Sequence, residues 1–208
     1  MERETELALV ARLRASDPDA FEAVHAAYHA RLFNFLARLS RRRDVAEDLV
    51  EETWLRLVTH APRLQAETRL GPWLYAVARN LYYSYCRSRA MGDALASGLI
   101  GLWPEGARRP SPFEETAARE LERRVERALA ALPAAYRETL LLVGVEGLTP
   151  SEAAAVCGLT PEAFRQRLSR ARSALDRAVG GLRTWLAAPE LRGDEGGRTA
   201  AKAGEVAT

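Results

Sequence analysis

Arginine side chains recur along residues 161–178 with a spacing that suits binding to DNA. In this segment the arginines outnumber the acids, with Arg165, Arg167, Arg170, Arg172 and Arg177 against Glu162 and Asp176. A helix of this kind in a major groove places its first turns on base edges and its arginines on phosphates. The segment therefore predicts a DNA-reading helix, and the alternative is a solvated basic helix in an ordinary bundle.

Capping residues on either side of a short turn define the helices that would position these arginines. Thr149 is a natural N-cap, Pro150 fits the first helical position, and Glu152 completes a capping box. Gly158 can adopt the left-handed conformation that ends this helix, and Thr160 then repeats the cap. A short helix, a glycine-containing turn and a longer helix together predict a helix-turn-helix.

A second candidate surface for nucleic acid lies on a helix predicted from Pro72-Trp73 to about Arg89. Its apolar residues should form a core face, made of Leu74, Val77, Ala78, Leu81 and Tyr85. Asn80, Tyr83 and Arg87 fall on the other side. Aromatic rings stack on unpaired bases while arginines hold phosphates, so this side suits a single strand. The alternative is that the tyrosines line the edge of a core.

An acidic cluster begins the helix predicted over residues 44–59. Five acids fall within nine residues: Asp44, Glu47, Asp48, Glu51 and Glu52. They cover one side of the helix, which invites a basic partner surface, while Leu49, Trp54, Leu57 and Val58 should pack. The alternative is compensation of the helix dipole, which accounts for the first two acids better than for the last two.

Helical periodicity dominates the 208 residues, and strand patterning is nearly absent. We expect an all-α fold of two small helical domains joined by a flexible linker, the C-terminal domain containing the helix-turn-helix. The expected divisions are an N-terminal domain over 1–90, a linker over 91–113, a C-terminal domain over 114–180 and a largely disordered extension over 181–208. Within the C-terminal domain, helices are predicted at about 114–131 and 134–146. The apolar residues of segment 99–103 are expected to dock on a domain, a partner or their own chain.

Composition narrows the class of protein. A hydrophobic fraction of 48% allows a core, and the net charge of +2 is unremarkable. Cys86 and Cys157 are far apart with no CxxC pair, so neither a disulfide framework nor a zinc site is expected, and a reducing cytoplasm fits. No apolar run approaches the ~20 residues that span a membrane.

Four passages in order resemble the extracytoplasmic-function sigma factors of bacteria, the small members of the sigma-70 family. They are AEDLVEETWLRL (46–57), GPWLYAVARNLYYSYCRSR (71–89), LPAAYRETLLLVGVEGLTPSEAAAVCGL (132–159) and RQRLSRARSAL (165–175). The resemblance covers roughly residues 17–90 and 114–179, with the family's linker between them. Each motif alone is moderately specific, but their ordered combination is highly specific.

The resemblance implies a role for each segment. The residues implied to bind core RNA polymerase are Asp48, Leu49, Glu51, Glu52 and Trp54. Those implied to recognise and melt the minus-ten promoter element are Trp73, Arg79, Asn80, Tyr83 and Arg87, with the loop near 62–71. Those implied to read the minus-thirty-five element are Arg165, Gln166, Arg167, Ser169 and Arg170. The implied partners are core RNA polymerase, through its β′ clamp helices and β flap, promoter DNA and an anti-sigma factor; no catalysis, metal, cofactor or membrane insertion is implied.

The sequence also departs from the family's pattern. Glu51 stands where Gln is usual, Ser84 stands where Asp is usual, and residues 162–164 replace a common Gly-Thr-Val. Glu162 at the start of the recognition helix can accept from a cytosine amino group or repel a phosphate. Two other functions fit parts of the pattern: a stand-alone helix-turn-helix regulator, and a helical adaptor that binds only proteins. The regulator would need neither the acidic helix nor the aromatic face.

Overall fold

A computed structural model describes residues 3–96 and 117–180, and within those ranges every regular element is helical. The helices are α1 (Arg3–Arg14), α2 (Pro18–Ser40), α3 (Arg43–His60), α4 (Leu70–Ala96), α5 (Ala117–Ala131), α6 (Ala134–Leu140), α7 (Pro150–Cys157) and α8 (Pro161–Val179). A 3-10 turn at Ala61–Arg63 follows α3, and a π-helical segment at Leu141–Val145 follows α6. We call α1–α4 the N-terminal domain and α5–α8 the C-terminal domain. The all-α prediction is confirmed.

The long helix α2 organises the N-terminal domain. The Asp17 carboxylate caps it by accepting from the backbone N–H of Asp19 at 2.9 Å, and Pro18 occupies its first turn. The helix ends where Arg41 adopts a left-handed conformation at φ 61°. Along its length a stripe of side chains faces α3 and α4, made of Val24, Tyr28, Leu32, Phe35, Leu36 and Leu39, all buried. Phe21, near the start of the helix, is half-buried and packs against the same core.

The helix-turn-helix is built by the caps that the sequence contains. Thr149 Oγ1 accepts from the N–H of Glu152 at 3.3 Å, and Glu152 Oε2 accepts from the Thr149 N–H at 2.9 Å, which completes the capping box. Gly158 ends α7 at φ 65°, and Thr160 then caps α8 through the N–H of Ala163. Glycine is favoured there because a side chain strains a left-handed backbone.

The structure differs from the prediction in two elements. The helix predicted over 134–146 changes its winding after Leu140, where the N–H of Glu146 bonds the carbonyl of Leu141 at 2.9 Å. Such π-type turns are short and are often found at functional positions. Helix α4 continues to Ala96, past the expected end near residue 89. Most of the expected linker, the segment 99–103 and the extension 181–208 lie outside the described residues.

The two domains pack against each other. Helices α2 and α4 contact α6 and α7, and the buried side chains of both domains form one continuous cluster. Leu74, Tyr75 and Ala78 of α4 belong to this cluster together with Leu141 and Leu142. The sequence indicates only that the two domains can act at separate sites, so their close packing is a new feature of the structure.

Candidate polymerase and promoter interface

Helix α8 presents a polar face to solvent and an apolar face to its own domain. Phe164, Leu168 and Ala171 are buried, which fixes the rotation of the helix about its axis. Four of the five residues implied to read the minus-thirty-five element are exposed: Arg165, Gln166, Ser169 and Arg170. The fifth, Arg167, lies 3.8 Å from the buried carboxylate of Glu138 in its own domain, and its side chain is 25% exposed. Four residues of this face are therefore accessible to a major groove, whereas Arg167 lies beside the buried Glu138.

The first turn of α8 carries an ion pair between Glu162 and Arg165. The Glu162 carboxylate accepts a hydrogen bond from Arg165, and this bond, with the charge of Arg165, lowers the pKa of Glu162. Both side chains are well exposed. In the free chain Glu162 therefore neutralises part of the positive charge at the start of the helix, and Arg165 must exchange this partner before it can hold a phosphate.

The α4 residues implied to bind the minus-ten element do not all face solvent, because some of them face the C-terminal domain. Asn80 and Arg87 are exposed, and Arg87 donates to Ser84 Oγ at 2.9 Å. Trp73 is half-buried at the start of the helix, with its ring 6.4 Å from that of His60. Arg79 and Tyr83 are stacked together, with the guanidinium 4.7 Å from the ring centroid. These last two side chains face the C-terminal domain rather than open solvent.

The buried face of α4 is only partly the predicted one. Leu74 and Ala78 are fully buried as expected, whereas the face turns toward Tyr75 and Tyr82, which are also buried. The remaining predicted core residues are half-buried: Val77, Leu81 and Tyr85. Tyr75 contacts both domains, since its ring lies 5.3 Å from that of Phe35 and its hydroxyl donates to the carboxylate of Glu146 in the C-terminal domain.

Helix α3 exposes the acidic side expected from the sequence. Asp48 and Glu51 are exposed, and Glu52 is half-buried and pairs with Arg56 at 2.8 Å. Leu49 and Trp54 instead lie in the core, where they are 8% and 7% exposed. Their packing fixes the orientation of α3 and so keeps its acidic side toward solvent. The indole N–H of Trp54 donates to Nδ1 of His29 at 3.2 Å.

An apolar pair lies beside these acids. Leu55 and Val58 are 62% and 56% exposed on α3. The expectation that Val58 packs in the core is therefore wrong; Leu57 does pack and is fully buried. Exposed leucine and valine beside a row of carboxylates make a surface that combines charge with apolar contact, as protein-binding surfaces do.

Comparison with known proteins places these surfaces in one family. Residues 24–91 match the family Sigma-70 region 2, and residues 122–175 match Sigma-70, region 4. RNA polymerase sigma factor CarQ of Myxococcus xanthus is 33% identical over 82% of this chain and 95% of its own length. The ECF RNA polymerase sigma factor EcfG of Rhodopseudomonas palustris is 36% identical over 68% of this chain and 75% of its own length.

The chain belongs to the extracytoplasmic-function sigma factors. Like its family, this sigma factor binds core RNA polymerase and directs it to promoters, where transcription begins. A solved structure of similar fold is the sigma factor RpoE of Bartonella quintana in complex with the anti-sigma factor NepR. It is 28% identical, covers 76% of this chain and 96% of its own, and has a TM-score of 0.65.

The sigma factor carries buried polar residues that the sequence interpretation missed. Glu138 and Glu146 have side chains that are 0% and 2% exposed, and Arg137 is 5% exposed as a residue. All three belong to the segment 132–159, which the resemblance identified as a motif without giving these residues a role. The sequence signal for buried charges was the pair of adjacent opposite charges inside an apolar run, Tyr-Arg-Glu-Thr-Leu at 136–140. Charges that are buried in such a run are rarely left unpaired, so they indicate partners elsewhere in the fold.

Glu138 of α6 lies between α4 and α8. Its Oε1 is 2.6 Å from Arg79 Nε, its Oε2 accepts from the Tyr83 hydroxyl at 3.2 Å, and Arg167 Nη1 is 3.8 Å from Oε2. Burial raises the pKa of the Glu138 carboxyl, against the opposing effect of Arg79. Burial and the nearby carboxylate also raise the pKa of Tyr83 to about 12, which keeps its hydroxyl protonated as a donor.

Metal-binding groups and membrane-spanning helices were not expected from the sequence. Across 3–91 and 122–180, where side chains are described, no group of three or more histidine, cysteine or acidic side chains could hold a metal ion. None of the described helices combines the length and apolar character needed to cross a bilayer.

Proposed function

We propose that this sigma factor divides promoter recognition between its domains along the surfaces described above. In this proposal residues 1–90 bind polymerase and the minus-ten element, residues 114–180 read the minus-thirty-five element, and 91–113 connect them. The observation that carries it is the polar face of α8, which exposes four residues: Arg165, Gln166, Ser169 and Arg170. The helix follows a capped turn, and Phe164 on its other face is fully buried. That is the arrangement in which a recognition helix enters a major groove.

The exposed side of α3 is the proposed docking surface for the β′ clamp helices of core polymerase. Asp48, Glu51 and Glu52 supply the charge, and the neighbouring Leu55 and Val58 supply apolar contact. Charges at the rim of an interface mainly steer association, whereas buried apolar side chains contribute more of the affinity. Leu49 and Trp54 are then positioning residues, since both are buried behind this surface.

The promoter-facing side of α4 is the proposed site for unpaired minus-ten DNA. Trp73 and Tyr83 offer rings for stacking, and Arg79, Asn80 and Arg87 offer donors for phosphates and bases. Each base stacked on an aromatic ring contributes ~1–3 kcal/mol, which can offset the cost of unstacking the duplex. Strand opening is thus driven by binding energy, and the chain itself carries out no chemical step.

The remaining partners follow from the relatives. The similar structure of RpoE contains an anti-sigma factor, and we propose that a comparable protein binds this chain. A β-flap contact for the C-terminal domain belongs to the same proposal. The cytoplasm is the proposed compartment, because core polymerase and the chromosome are there.

Run-off transcription from a promoter library with purified core polymerase tests the proposal. The complete chain should produce transcripts that depend on both promoter elements, and neither core polymerase nor the chain alone should do so. Tight binding to a duplex operator without polymerase, and no transcripts with it, would instead identify a stand-alone regulator. Binding to proteins without any effect on transcription would identify an adaptor.

A further inference from the structure

Glu6 is a buried acid on α1, a helix to which neither the sequence motifs nor the proposed surfaces give a role. The residue is 5% exposed, and Leu9 and Val10 of the same helix pack into the core of the N-terminal domain. A buried carboxylate is costly unless charged or hydrogen-bonding groups surround it. The partners of Glu6 therefore indicate what α1 does in this domain.

The carboxylate of Glu6 bonds to the end of the loop at residues 64–69, which we call the α3–α4 loop. Its Oε1 accepts from the backbone N–H of Leu70, the first residue of α4, at 2.8 Å. An N–H at the start of a helix has no partner within the helix, so Glu6 acts as a cap supplied by a distant segment. Its Oε2 lies 3.1 Å from Nε of Arg69, the last residue of the loop. Glu6 thus fixes the point where the loop becomes α4.

Arg3 extends this restraint to the middle of the α3–α4 loop. Its Nη1 donates to Oε2 of Glu6 at 3.0 Å, and its Nη2 donates to the backbone carbonyl of Glu67 at 2.8 Å. At the start of the loop Leu64 is buried. The loop is therefore held at three points, and the two held by hydrogen bonds depend on side chains of α1.

The tip of the α3–α4 loop offers polar groups to solvent. Gln65 and Glu67 are exposed, and the N–H of Thr68 donates to the carbonyl of Gln65 at 3.1 Å, which closes a turn. Amide and carboxylate side chains can hydrogen-bond to the edges of bases. Trp73 in the first turn of α4 is half-buried and offers a ring for stacking. Because the loop is fixed to the start of α4, its tip keeps a constant position relative to this ring.

We propose that Glu6 is a positioning residue for the minus-ten element, which holds the α3–α4 loop so that one unpaired base meets the loop and Trp73 together. This inference rests on the proposed function, because only that function brings promoter DNA to Trp73. Glu6 itself is buried and does not touch the base. Specific recognition needs its groups held to within roughly 0.5 Å, so a loosened loop loses its preference for one base more readily than its general affinity for DNA.

Glu6→Ala in the full chain tests the proposal, with Glu4→Ala as the matched control. Both changes remove one carboxylate from α1, but Glu4 is exposed and makes no hydrogen bond or ion pair in the described part of the chain. Each variant is combined with purified core polymerase, and transcripts are sequenced from promoter libraries randomised over the minus-ten or the minus-thirty-five element. Glu6→Ala should lower the preference at one minus-ten position at least about threefold relative to Glu4→Ala. Preferences in the minus-thirty-five library should not change.

A conservative variant and hydrogen exchange separate positioning from a general loss of structure. Glu6→Gln keeps an oxygen that can accept from the Leu70 N–H, so it should retain part of the minus-ten preference. In the free chain, peptides from residues 64–72 should exchange faster in Glu6→Ala than in Glu4→Ala, while peptides from α2 and α3 should exchange equally. An unchanged minus-ten preference in Glu6→Ala would overturn the proposal, and so would an equal loss of preference in both libraries.

Arg3→Ala carries the test if circular dichroism shows that Glu6→Ala has lost helicity. The Arg3 side chain is 43% exposed, and its removal frees the Glu67 carbonyl while Glu6 still caps α4. A smaller loss of preference at the same minus-ten position is expected, and full preference in Arg3→Ala would then refute the positioning role. If the unaltered chain yields no promoter-dependent transcripts, the proposed function itself fails. If the unaltered chain transcribes and the variants keep its base preference, only the inference about Glu6 fails.

Discussion

Arg137 offers the most direct test of how the two domains are held together. Its guanidinium is buried and donates to five backbone carbonyls. Within its own domain these belong to the end of α5 and the residue after it, with distances of 2.9 Å to Leu129 and 2.8 Å to both Ala130 and Leu132. Across the interface they belong to the last turn of α2, at 2.8 Å to Leu39 and 3.4 Å to Arg38. One side chain therefore caps two helices in different domains.

Arg137→Lys removes this arrangement while keeping the charge. A guanidinium has five N–H donors in a fixed plane, and all five contacts are made here, whereas an ammonium has three donors around one point. At least two buried carbonyls must lose their partner, at about 1–3 kcal/mol each. Because the Arg38 contact is long, the lower half of that range applies, and we expect a loss of roughly 2–4 kcal/mol in the free energy of unfolding.

Urea denaturation of the full chain, followed by far-ultraviolet circular dichroism, measures this loss. The control is Arg177→Lys on the last turn of α8, because Arg177 is exposed and makes one long bond, 3.3 Å, to the Ser173 carbonyl. We expect the control to stay within about 0.5 kcal/mol of the wild type. An Arg137→Lys variant that matches the control would show that the five contacts contribute no net stability, and the argument from capping would be refuted.

Three further predictions concern the proposed surfaces. Glu51→Arg with Glu52→Arg should weaken capture of the chain by immobilised core polymerase with unchanged helicity; undiminished capture would exclude α3 as the docking surface. Asn80→Ala with Arg87→Ala should reduce permanganate-detected melting of a duplex promoter, and a pre-melted template should restore part of the activity. Full melting by that variant would remove both residues from strand opening. Gln166→Ala should change the preference at one base pair of the minus-thirty-five element by about 1–3 kcal/mol, measured with a randomised promoter library. An unchanged preference would mean that Gln166 is only a solvated residue.

Local signals made the helix-turn-helix predictable. The capping box at Thr149, the left-handed glycine at 158 and the second cap at Thr160 depend on neighbours within a few residues, and all are present in the structure. The apolar stripe of α2 was predictable for the same reason, because a 3.6-residue period is visible in one segment alone. The exposed acids of α3 also followed from spacing.

Burial on α4 was harder to predict because the helix packs both against its own domain and against the C-terminal domain. Periodicity indicated one core face, yet Tyr75 and Tyr82 are buried whereas Val77 and Leu81 are only half-buried. A hydroxyl makes tyrosine equally suited to a core edge, a protein interface and a stacked base. The pattern of one helix cannot distinguish these surroundings, since they are set by the domain that packs against it.

The contacts of Glu138 illustrate why the packing of the two domains against each other could not be predicted from the sequence. Glu138 is 55 residues from Tyr83 along the chain, and nothing local to either residue specifies their meeting. A charge in the run LeuProAlaAlaTyrArgGluThrLeu indicates that a buried partner exists somewhere, but not which arginine supplies it. The structure supplies two, Arg79 and Arg167, both of which the family resemblance assigns to DNA. A guanidinium forms charge-assisted hydrogen bonds with carboxylates and with phosphates alike, so the pattern of arginines in a sequence does not distinguish an ion pair between domains from a contact with DNA.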